Sequence, residues 1–366
     1  MKRIWLSPPW TGAEEREEIS RAFDTGYIAP CGPKVDEFER MLASLAGRDC
    51  AVAVSSGTAA LDLLAAHFGV DASWTVVAPT LTFIATVAPF FHRGAELVFV
   101  DSDATGNVDL ALLGGALRDA SRETPGKTLF VGVDLYGRCC DWDAVGKLCA
   151  EHGVLFVGDS AEAVGAAFGS RPAGSEGAAA VFSFNGNKIV TTSGGGAVLT
   201  DDAELAAHVR SLSQQSREPV AWYEHREAGY NCRMSGILAA LGIAQLRKLP
   251  EILRRRRANR DFYASIEGLE LLPPVEGENC WLTVALMPDA ASRDALIAAL
   301  AAADVESRPV WKPMHLQPVF AHCRVAGGDV ARGLFERGVC LPSGSGMDDA
   351  DRARIREVVC TQLSRT

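Results

Sequence analysis

The chain has 366 residues, of which 48% are hydrophobic and 22% are charged, and its net charge is −10. This length and balance are typical of a globular protein of about two domains. The acidic charge argues against general binding to nucleic acid or to a membrane surface, although a local arginine cluster could still bind an anionic small substrate.

The ten cysteines form no C-x-x-C pair and show no spacing typical of a zinc site. The apolar run at the N-terminus is too short for a secretion signal or a membrane span. We therefore expect free thiols, no bound metal and a cytoplasmic location.

The first 47 residues predict two helices joined by a loop. Residues 13–24 have the pattern of an amphipathic helix. A second helix is expected from Pro33 to Gly47, because proline is favoured in a first turn and glycine at a C-terminal cap. The loop at 26–32 is unusually apolar, and its Tyr27 either packs in the core or lines a ligand cleft.

Short apolar runs alternate with helical patterns from residue 50 to residue 200. Several runs lack polar alternation, as strands buried on both faces do. This predicts an α/β large domain with a mixed, mostly parallel sheet flanked by helices, in which ligands bind at the carboxyl ends of the strands. The predicted strands are 50–54, 75–78, 96–100, 128–133, 154–157, 179–184 and 196–199.

The last third of the chain predicts helices followed by a smaller α+β domain. Residues 201–260 are helix-rich, and the run Arg254-Arg255-Arg256-Arg257 is expected on a solvated helix face. We place a large cofactor-binding domain at 1–250 and a small C-terminal domain at 251–366. The elements expected in the small domain are strands at 281–287 and 305–311 and helices at 294–303 and 349–363.

Two predicted strands end in residues that suit a phosphorylated ring. The strand ending at residue 54 leads into Ser55-Ser56-Gly57-Thr58 and a helix. Free amide groups at a helix N-terminus bind phosphate, although a serine or threonine there is also a common structural cap. After the next strand, Phe83 either stacks on a planar heterocycle or fills the core.

A carboxylate follows the predicted strand that ends at residue 157. Asp159 ends an apolar run, where an ionised group is costly unless it is paired. A protonated pyridine nitrogen is a suitable partner, and it would make the ring an electron sink. Helix capping is the structural alternative. Glu162 lies one helical turn further on and could reach the same ligand.

Lys188 follows another predicted strand and completes a possible cofactor site with these residues. The strand at 179–184 runs into S-F-N-G-N-K at 183–188, and T-T-S-G-G-G follows at 191–196. A lysine of low exposure here could form a Schiff base with pyridoxal phosphate (PLP), and Ser183 could donate to the phosphate. A solvated loop lysine is the alternative. The four groups occur in the chain order of PLP enzymes of the aspartate-aminotransferase fold.

Over essentially its whole length the sequence resembles the DegT/DnrJ/StrS family of PLP-dependent sugar aminotransferases, which have PLP fold type I. The motifs that carry the resemblance are G-Y-I-A-P at 26–30, S-G-T-A-A-L at 56–61, D-S-A-E at 159–162, S-F-N-G-N-K at 183–188, G-Y-N-C-R-M-S at 229–235 and R-P-V-W-K-P-M-H at 308–315.

The resemblance implies a role for each group that faces the cofactor ring. Lys188 would carry PLP and act as the catalytic base, and Asp159 would pair with the pyridine nitrogen. Phe83 would stack on the ring, and Glu162 would contact its hydroxyl side.

The resemblance also implies how the cofactor phosphate is held. Gly57, Thr58 and Ser183 would bind it. Asn231 would reach the phosphate of the neighbouring subunit's cofactor, so that the enzyme would be an obligate homodimer with shared sites.

The implied reaction is ping-pong transfer of an amino group from L-glutamate to carbon 4 of a nucleotide-linked 4-keto-6-deoxy sugar of the UDP-N-acetylhexosamine type. A GDP-linked sugar of the perosamine type is the alternative, as are elimination on the same fold and a non-catalytic sugar-nucleotide-binding protein. The substrate candidates are Tyr27, Arg217, Arg233 and His315, with Arg308 as a weaker candidate. The arginines could equally be structural ion-pair partners, and a lone histidine is more often structural.

Overall fold

The computed structural model describes residues 2–365, which form a main sheet, a smaller sheet and a two-stranded hairpin, with helices packed on the two larger sheets. The helices are α1 (Ala13–Asp24), α2 (Pro33–Ala46), α3 (Gly57–His67), α4 (Ala88–His92), α5 (Leu110–Glu123), α6 (Trp142–His152), α7 (Ala203–Ser213), α8 (Gly236–Arg247), α9 (Leu249–Ala264), α10 (Ala290–Ala302), α11 (Asp329–Arg337) and α12 (Asp349–Leu363).

Fourteen strands accompany these helices in the described part of the chain. They are β1 (Cys50–Val54), β2 (Thr75–Pro79), β3 (Glu96–Val100), β4 (Thr128–Val133), β5 (Leu155–Asp159), β6 (Ala167–Phe168), β7 (Arg171–Pro172), β8 (Ala179–Ser183), β9 (Gly196–Thr200), β10 (Glu270–Leu271), β11 (Thr283–Leu286), β12 (Arg308–Pro309), β13 (Arg324–Ala326) and β14 (Gly338–Leu341).

The main sheet has eight strands in the order β1-β9-β8-β5-β4-β2-β3-β13. All neighbouring strands are parallel except at β9, which runs antiparallel to both β1 and β8. The side chains of successive residues in the buried strands pack in different apolar cores on the two faces of the sheet, as those of Val76 and Val77 in β2 do. The predicted mixed, mostly parallel α/β sheet is therefore confirmed.

A smaller antiparallel sheet, β10-β11-β14-β12, lies in the C-terminal part of the chain and has its own apolar core. The strand predicted at 305–311 is reduced to Arg308–Pro309. Proline lacks a backbone donor, and Pro309 and Pro313 limit how far this segment can pair.

The chain crosses the expected domain boundary in both directions, and the division at residue 250 stays a prediction. Strand β13, which the sequence did not indicate, pairs in parallel with β3 at the edge of the main sheet. At the other end of the chain, Ile4 pairs with Val305. Within residues 2–365, no helix combines the length and apolar character needed to cross a membrane.

Arg256 corrects the expectation that the arginine run is a solvated face. Arg254 and Arg255 are bound to Glu251 at the surface, but Arg256 is only 2% exposed. Its guanidinium donates to the Ser7 hydroxyl, the Ser345 hydroxyl and the Trp281 carbonyl at 2.8–3.1 Å. Burial lowers its pKa to about 10, which leaves it charged at neutral pH.

Replacing Arg256 with methionine should destabilise the protein by about 2–4 kcal/mol, because buried acceptors from three segments lose their donor. Urea unfolding measures the change. Arg254→Met removes an exposed arginine of the same helix and should leave the unfolding midpoint unchanged. Equal effects of the two substitutions would contradict the role of Arg256.

Candidate active site

A cavity of about 870 Å³ opens at the carboxyl ends of β1, β2, β5 and β8. These strands run in the same direction, so the residues that follow them meet at one edge of the main sheet. The N-terminal segment and the C-terminal segment around Trp311 close the opposite side. The place where the sequence predicted ligand binding is therefore the place of the cavity.

Lys188 lies in this cavity with its side chain 12% exposed, so it is not a solvated loop lysine. Its Nζ is 3.1 Å from Glu162 Oε1 and 4.1 Å from the centroid of the Trp281 ring. The preceding carbonyl, that of Asn187, accepts hydrogen bonds from Ser7 Oγ at 2.6 Å and Trp281 Nε1 at 2.7 Å. The lysine is thus fixed at both its backbone and its amine.

Asp159 is the last residue of β5 and is 6% exposed. Thr86 Oγ1 donates to its Oδ2 at 2.7 Å, and the Ala161 amide donates to its Oδ1 at 3.2 Å. Burial raises the pKa of this carboxyl, while the two hydrogen bonds and the charge of Lys188 act against the rise. A turn follows β5 where a helix was the alternative, so Asp159 is not a helix cap.

Glu162 is buried beside Lys188 and accepts a hydrogen bond from the Tyr136 amide at 2.7 Å. Burial raises the pKa of its carboxyl, and Lys188 and the Tyr136 amide oppose that rise. The Asn279 side chain donates to the Glu162 carbonyl at 2.7 Å, which ties this turn to the segment that carries Trp281. Glu162 reaches the cavity from a turn, so the expectation that it lies one helical turn after Asp159 is wrong in its geometry.

The N-terminus of α3 faces the cavity through Gly57 and Thr58. Ser56 caps the helix by accepting from the Ala59 amide at 3.0 Å. A Cβ on Gly57 would lie 3.1 Å from Ser183 Cβ, and one on Gly196 would lie 2.4 Å from the Gly57 nitrogen. Both glycines therefore let β8 and β9 approach the helix closely, which brings Ser183 beside its free amides.

Phe83 is 55% exposed and lines the cavity, so it does not fill the core. Its ring centroid is 5.6 Å from that of Trp311, which in turn lies 5.0 Å from Tyr136 and 6.3 Å from Trp281. These rings form an aromatic wall with one half-exposed face, which suits the flat face of a heterocycle.

Two predicted substrate contacts, Arg233 and His315, have structural partners in the single chain, and their roles toward substrate stay predictions. Arg233 has a side chain only 4% exposed, and its Nη1 donates to Glu39 at 2.5 Å and to the Ala53 carbonyl at 2.6 Å, so it holds α2 to β1. His315 lies outside the cavity lining, and its Nδ1 is 2.7 Å from Thr80 Oγ1. Burial lowers the pKa of His315, which favours the neutral ring. Both side chains fasten segments together.

Three other predicted residues lie outside the cavity lining of the single chain. Tyr27, Arg217 and Asn231 are exposed, and Arg217 stacks on the ring of Tyr223 at 4.4 Å. Tyr27 packs over Gly32 and belongs neither to the core nor to this cavity. The roles given to these residues stay predictions that require a second subunit.

The cavity lining contains two cationic residues predicted from the sequence and adds other residues that the sequence did not indicate. Arg308 and Lys188 are the cationic side chains among the described residues that line the cavity. Thr86 and Trp281 have no motif around them, and only the fold brings them to Asp159 and Lys188. Trp311 and Arg308 do occur in the motif at 308–315, so a signal for them was present.

The chemistry of the site fits PLP. A largely buried amine for a Schiff base, a buried carboxylate for the ring nitrogen, a stacking face and a helix N-terminus with a serine hydroxyl all border the same cavity. Gly57, in the first turn of α3, adds no side chain to this end of the cavity, so its amide is accessible to a phosphate beside Ser183.

Comparison with known proteins gives consistent results. The model of the DegT/DnrJ/EryC1/StrS aminotransferase family matches residues 9–360. The putative pyridoxal phosphate-dependent aminotransferase EpsN of Bacillus subtilis is 38% identical, with 98% of this chain and 95% of the relative covered. GDP-perosamine synthase of Caulobacter vibrioides is 35% identical, with 97% of each chain covered.

A solved structure agrees over the whole length. The putative sugar aminotransferase Spr1654 of Streptococcus pneumoniae, in its PLP form, superposes with a TM-score of 0.90 at 26% identity, covering 100% of this chain and 99% of the other. Together with the match across residues 9–360, this confirms the predicted resemblance and fold type. The chain belongs to the DegT/DnrJ/EryC1/StrS aminotransferase family.

Proposed function

We propose that this sugar aminotransferase moves an amino group from L-glutamate to carbon 4 of a nucleotide-linked 4-keto-6-deoxy sugar. Pyridoxal phosphate is its cofactor. The observation that carries the proposal is the placement of the Lys188 amine and the Asp159 carboxylate in one cavity with a helix N-terminus and an aromatic wall. Each of these groups matches one part of PLP.

When bound, PLP supplies an aldehyde that condenses with amines and a ring that accepts the electrons of a broken C–H bond. Lys188 would remove the α-proton of the amino donor and later deliver a proton to carbon 4 of the sugar. Asp159 would accept the hydrogen bond of the ring N–H. The amides of Gly57 and Thr58, with Ser183, would hold the phosphate.

The overall reaction balances in two halves. The donor leaves as its 2-oxo acid, and the keto-sugar leaves as an amino-sugar, with the amino group stored on the enzyme in between. Ping-pong kinetics follow because both substrates use the same cavity in turn. Glutamate alone should therefore convert the cofactor to its amine form, whereas an elimination enzyme or a non-catalytic binding protein would not make this half-reaction.

For the acceptor we propose a UDP-linked N-acetylhexosamine derivative. The support is the combination of D-S-A-E at 159–162, S-F-N-G-N-K at 183–188 and T-S-G-G-G at 192–196, which resembles that of enzymes that aminate carbon 4 of such sugars. A GDP-linked sugar is the second candidate, supported by the 35% identity to GDP-perosamine synthase of Caulobacter vibrioides. Turnover with glutamate and a panel of UDP-, GDP- and TDP-linked 4-keto sugars separates the two. No turnover with any keto-sugar would reject the proposal.

Arg308 is the side chain proposed to bind the diphosphate of the acceptor. Its Nη2 lies 2.8 Å from Glu306 Oε1, yet its side chain is 70% exposed, so the guanidinium can still reach an incoming anion. Arg217, also proposed for the nucleotide, would act from the second subunit.

Replacing Arg308 with glutamine should raise the KM for the nucleotide sugar by about 10-fold, because one charged hydrogen bond is lost. The glutamate half-reaction should change less than about twofold. Steady-state kinetics with each substrate varied separate these effects, and Arg254→Gln, an exposed arginine away from the cavity, is the control. A rise confined to the KM of glutamate would assign Arg308 to the donor.

We also propose a cytoplasmic homodimer in which Asn231 and Tyr27 of each chain complete the partner's site. The exposure of both residues outside the cavity of the single chain supports this arrangement. Sedimentation velocity at micromolar concentration tests it, and a monomer that is fully active would reject it.

A further inference from the structure

Two threonine hydroxyls stand behind the Asp159 carboxylate. Thr86 Oγ1 is 2.7 Å from Asp159 Oδ2, and Thr82 Oγ1 is 2.7 Å from Thr86 Oγ1. Both side chains are buried, with Thr86 1% exposed and Thr82 fully enclosed. The three groups form a short chain of hydrogen bonds that ends on the carboxylate.

The direction of these bonds follows from the proton count. An ionised carboxylate can only accept, so Thr86 must use its single hydroxyl proton on Asp159. Its oxygen is then left to accept the proton of Thr82. Both hydroxyl dipoles therefore point toward Oδ2 when Asp159 is ionised, and Thr82 strengthens the donor that Thr86 presents.

The two oxygens of Asp159 are bound unequally. Oδ2 has the short bond from Thr86, whereas Oδ1 has one longer bond, 3.2 Å, from the Ala161 amide. A carboxylate oxygen has room for two acceptor contacts. Each oxygen therefore keeps one acceptor site, and the longer bond leaves Oδ1 the less fully satisfied of the two, which favours it as the partner of a ring N–H.

The charges that face Asp159 come from three segments. Lys188, on the loop after β8, favours the ionised form. Glu162, on the turn after β5, and Asp134, which follows β4, interact unfavourably with it. Burial raises the pKa of Asp159, and the Thr86 hydroxyl is the foremost group opposing that rise. Without this hydroxyl, the Ala161 amide and Lys188 alone would have to offset the burial.

The loop that carries the threonines is held at its base. Thr80 accepts from the His315 amide at 3.2 Å and lies 2.7 Å from His315 Nδ1, and its carbonyl accepts from the Met314 amide at 2.7 Å. Phe83 lies between Thr82 and Thr86 on the same loop and lines the cavity. One fixed loop thus presents the stacking ring and the hydroxyl pair together.

We infer that Thr86, supported by Thr82, is a positioning residue that keeps the Asp159 carboxylate ionised and leaves its Oδ1 available to the ring nitrogen of the cofactor. This inference rests on the proposed function for its catalytic meaning. The contact with Asp159 itself is a property of the protein without cofactor, so it can be tested separately.

The first test uses the protein without PLP. The titration midpoint of the Asp159 carboxyl, followed by ¹³C NMR and assigned with Asp159→Asn, should rise by about 1 pH unit in Thr86→Val, which keeps the shape and removes the hydroxyl. Thr82→Val should shift the midpoint in the same direction by less. Thr86→Ser retains the donor and should titrate like the unchanged protein.

The second test is the dissociation constant for PLP, which should rise by about 10-fold in Thr86→Val and stay unchanged in Thr86→Ser. An unchanged midpoint and an unchanged dissociation constant in Thr86→Val would overturn the inference. Equal damage in Thr86→Ser and Thr86→Val would also overturn it, because the methyl packing would then be what matters.

Near-ultraviolet circular dichroism checks that each variant is folded. If Thr86→Val is not folded, the inference is tested by comparing Thr82→Val, in which the Asp159 midpoint should rise, with Thr86→Ser, in which it should not. Failure of the proposed function would look different. The unchanged protein would then make no amine form of the cofactor from glutamate, while the Asp159 titrations would still separate the threonine variants.

Discussion

Lys188→Ala is expected to lose the covalent link to PLP and to lower turnover by about 10,000-fold, because the amine serves both as the Schiff-base nitrogen and as the proton-transfer group. Borohydride reduction followed by peptide mass spectrometry should find the cofactor on Lys188 in the unchanged protein and on no residue in the variant. Turnover is measured with glutamate and the accepted keto-sugar.

Lys147→Ala provides the matched control, since Lys147 is an exposed lysine of α6 away from the cavity. It should keep both the covalent cofactor and full turnover. Unchanged turnover in Lys188→Ala would remove the proposed mechanism. Labelling of a different lysine in the unchanged protein would do the same.

With PLP at saturating concentration, Asp159→Asn is expected to carry the cofactor, although it binds PLP about 10-fold more weakly or worse, and to slow the glutamate half-reaction by about 100- to 1,000-fold. The amide has the same shape and can still accept from Thr86, but it lacks the charge that favours a protonated ring nitrogen. Stopped-flow absorbance of the cofactor follows the half-reaction, and glutamate deuterated at the α-carbon should react more slowly still, because C–H cleavage then limits the rate.

Asp119→Asn is the control for this substitution, because Asp119 lies exposed on α5 and is 57% accessible. It should leave the half-reaction unchanged. If Asp159→Asn reacted at the rate of the unchanged protein, the electron-sink role of Asp159 would be wrong, even if Lys188 proved to carry the cofactor.

The unchanged protein and Asp159→Asn should also differ in how their stability depends on pH when no cofactor is bound. Burial raises the folded-state pKa of Asp159 above its usual value, so the folded protein binds the proton more tightly than the unfolded chain. Ionisation of Asp159 therefore costs stability as pH rises from the unfolded to the folded pKa. Asparagine does not ionise, so Asp159→Asn should gain stability relative to the unchanged protein over this interval and keep the gain above it.

Much of the main sheet could be predicted from the sequence, because its strands are buried on both faces and appear as short apolar runs. The same pattern placed Asp159 and Lys188 after strands that turned out to run in one direction. Local chemistry was also informative: proline and glycine marked α2, which runs Pro33–Ala46 with Gly47 as a left-handed cap.

What depended on long-range contacts was predicted less well. Arg256 and its neighbours in the arginine run are alike in sequence, and only the packing of α9 against Ser7, Trp281 and Ser345 buries one of them. In the same way, no residue near Arg233 in the sequence indicates that Glu39, 194 positions away, is its partner.

The sequence by itself therefore determined the α/β class and the family, and it pointed to Lys188, Asp159 and Phe83 as the candidates for the amine, carboxylate and stacking ring, because strand periodicity and short motifs are local properties. Only the tertiary structure decided which groups surround them. Thr86 reaches Asp159 across 73 positions and Trp281 covers Lys188 across 93, and no spacing rule predicts such contacts, since they arise where separate loops meet at the edge of a sheet.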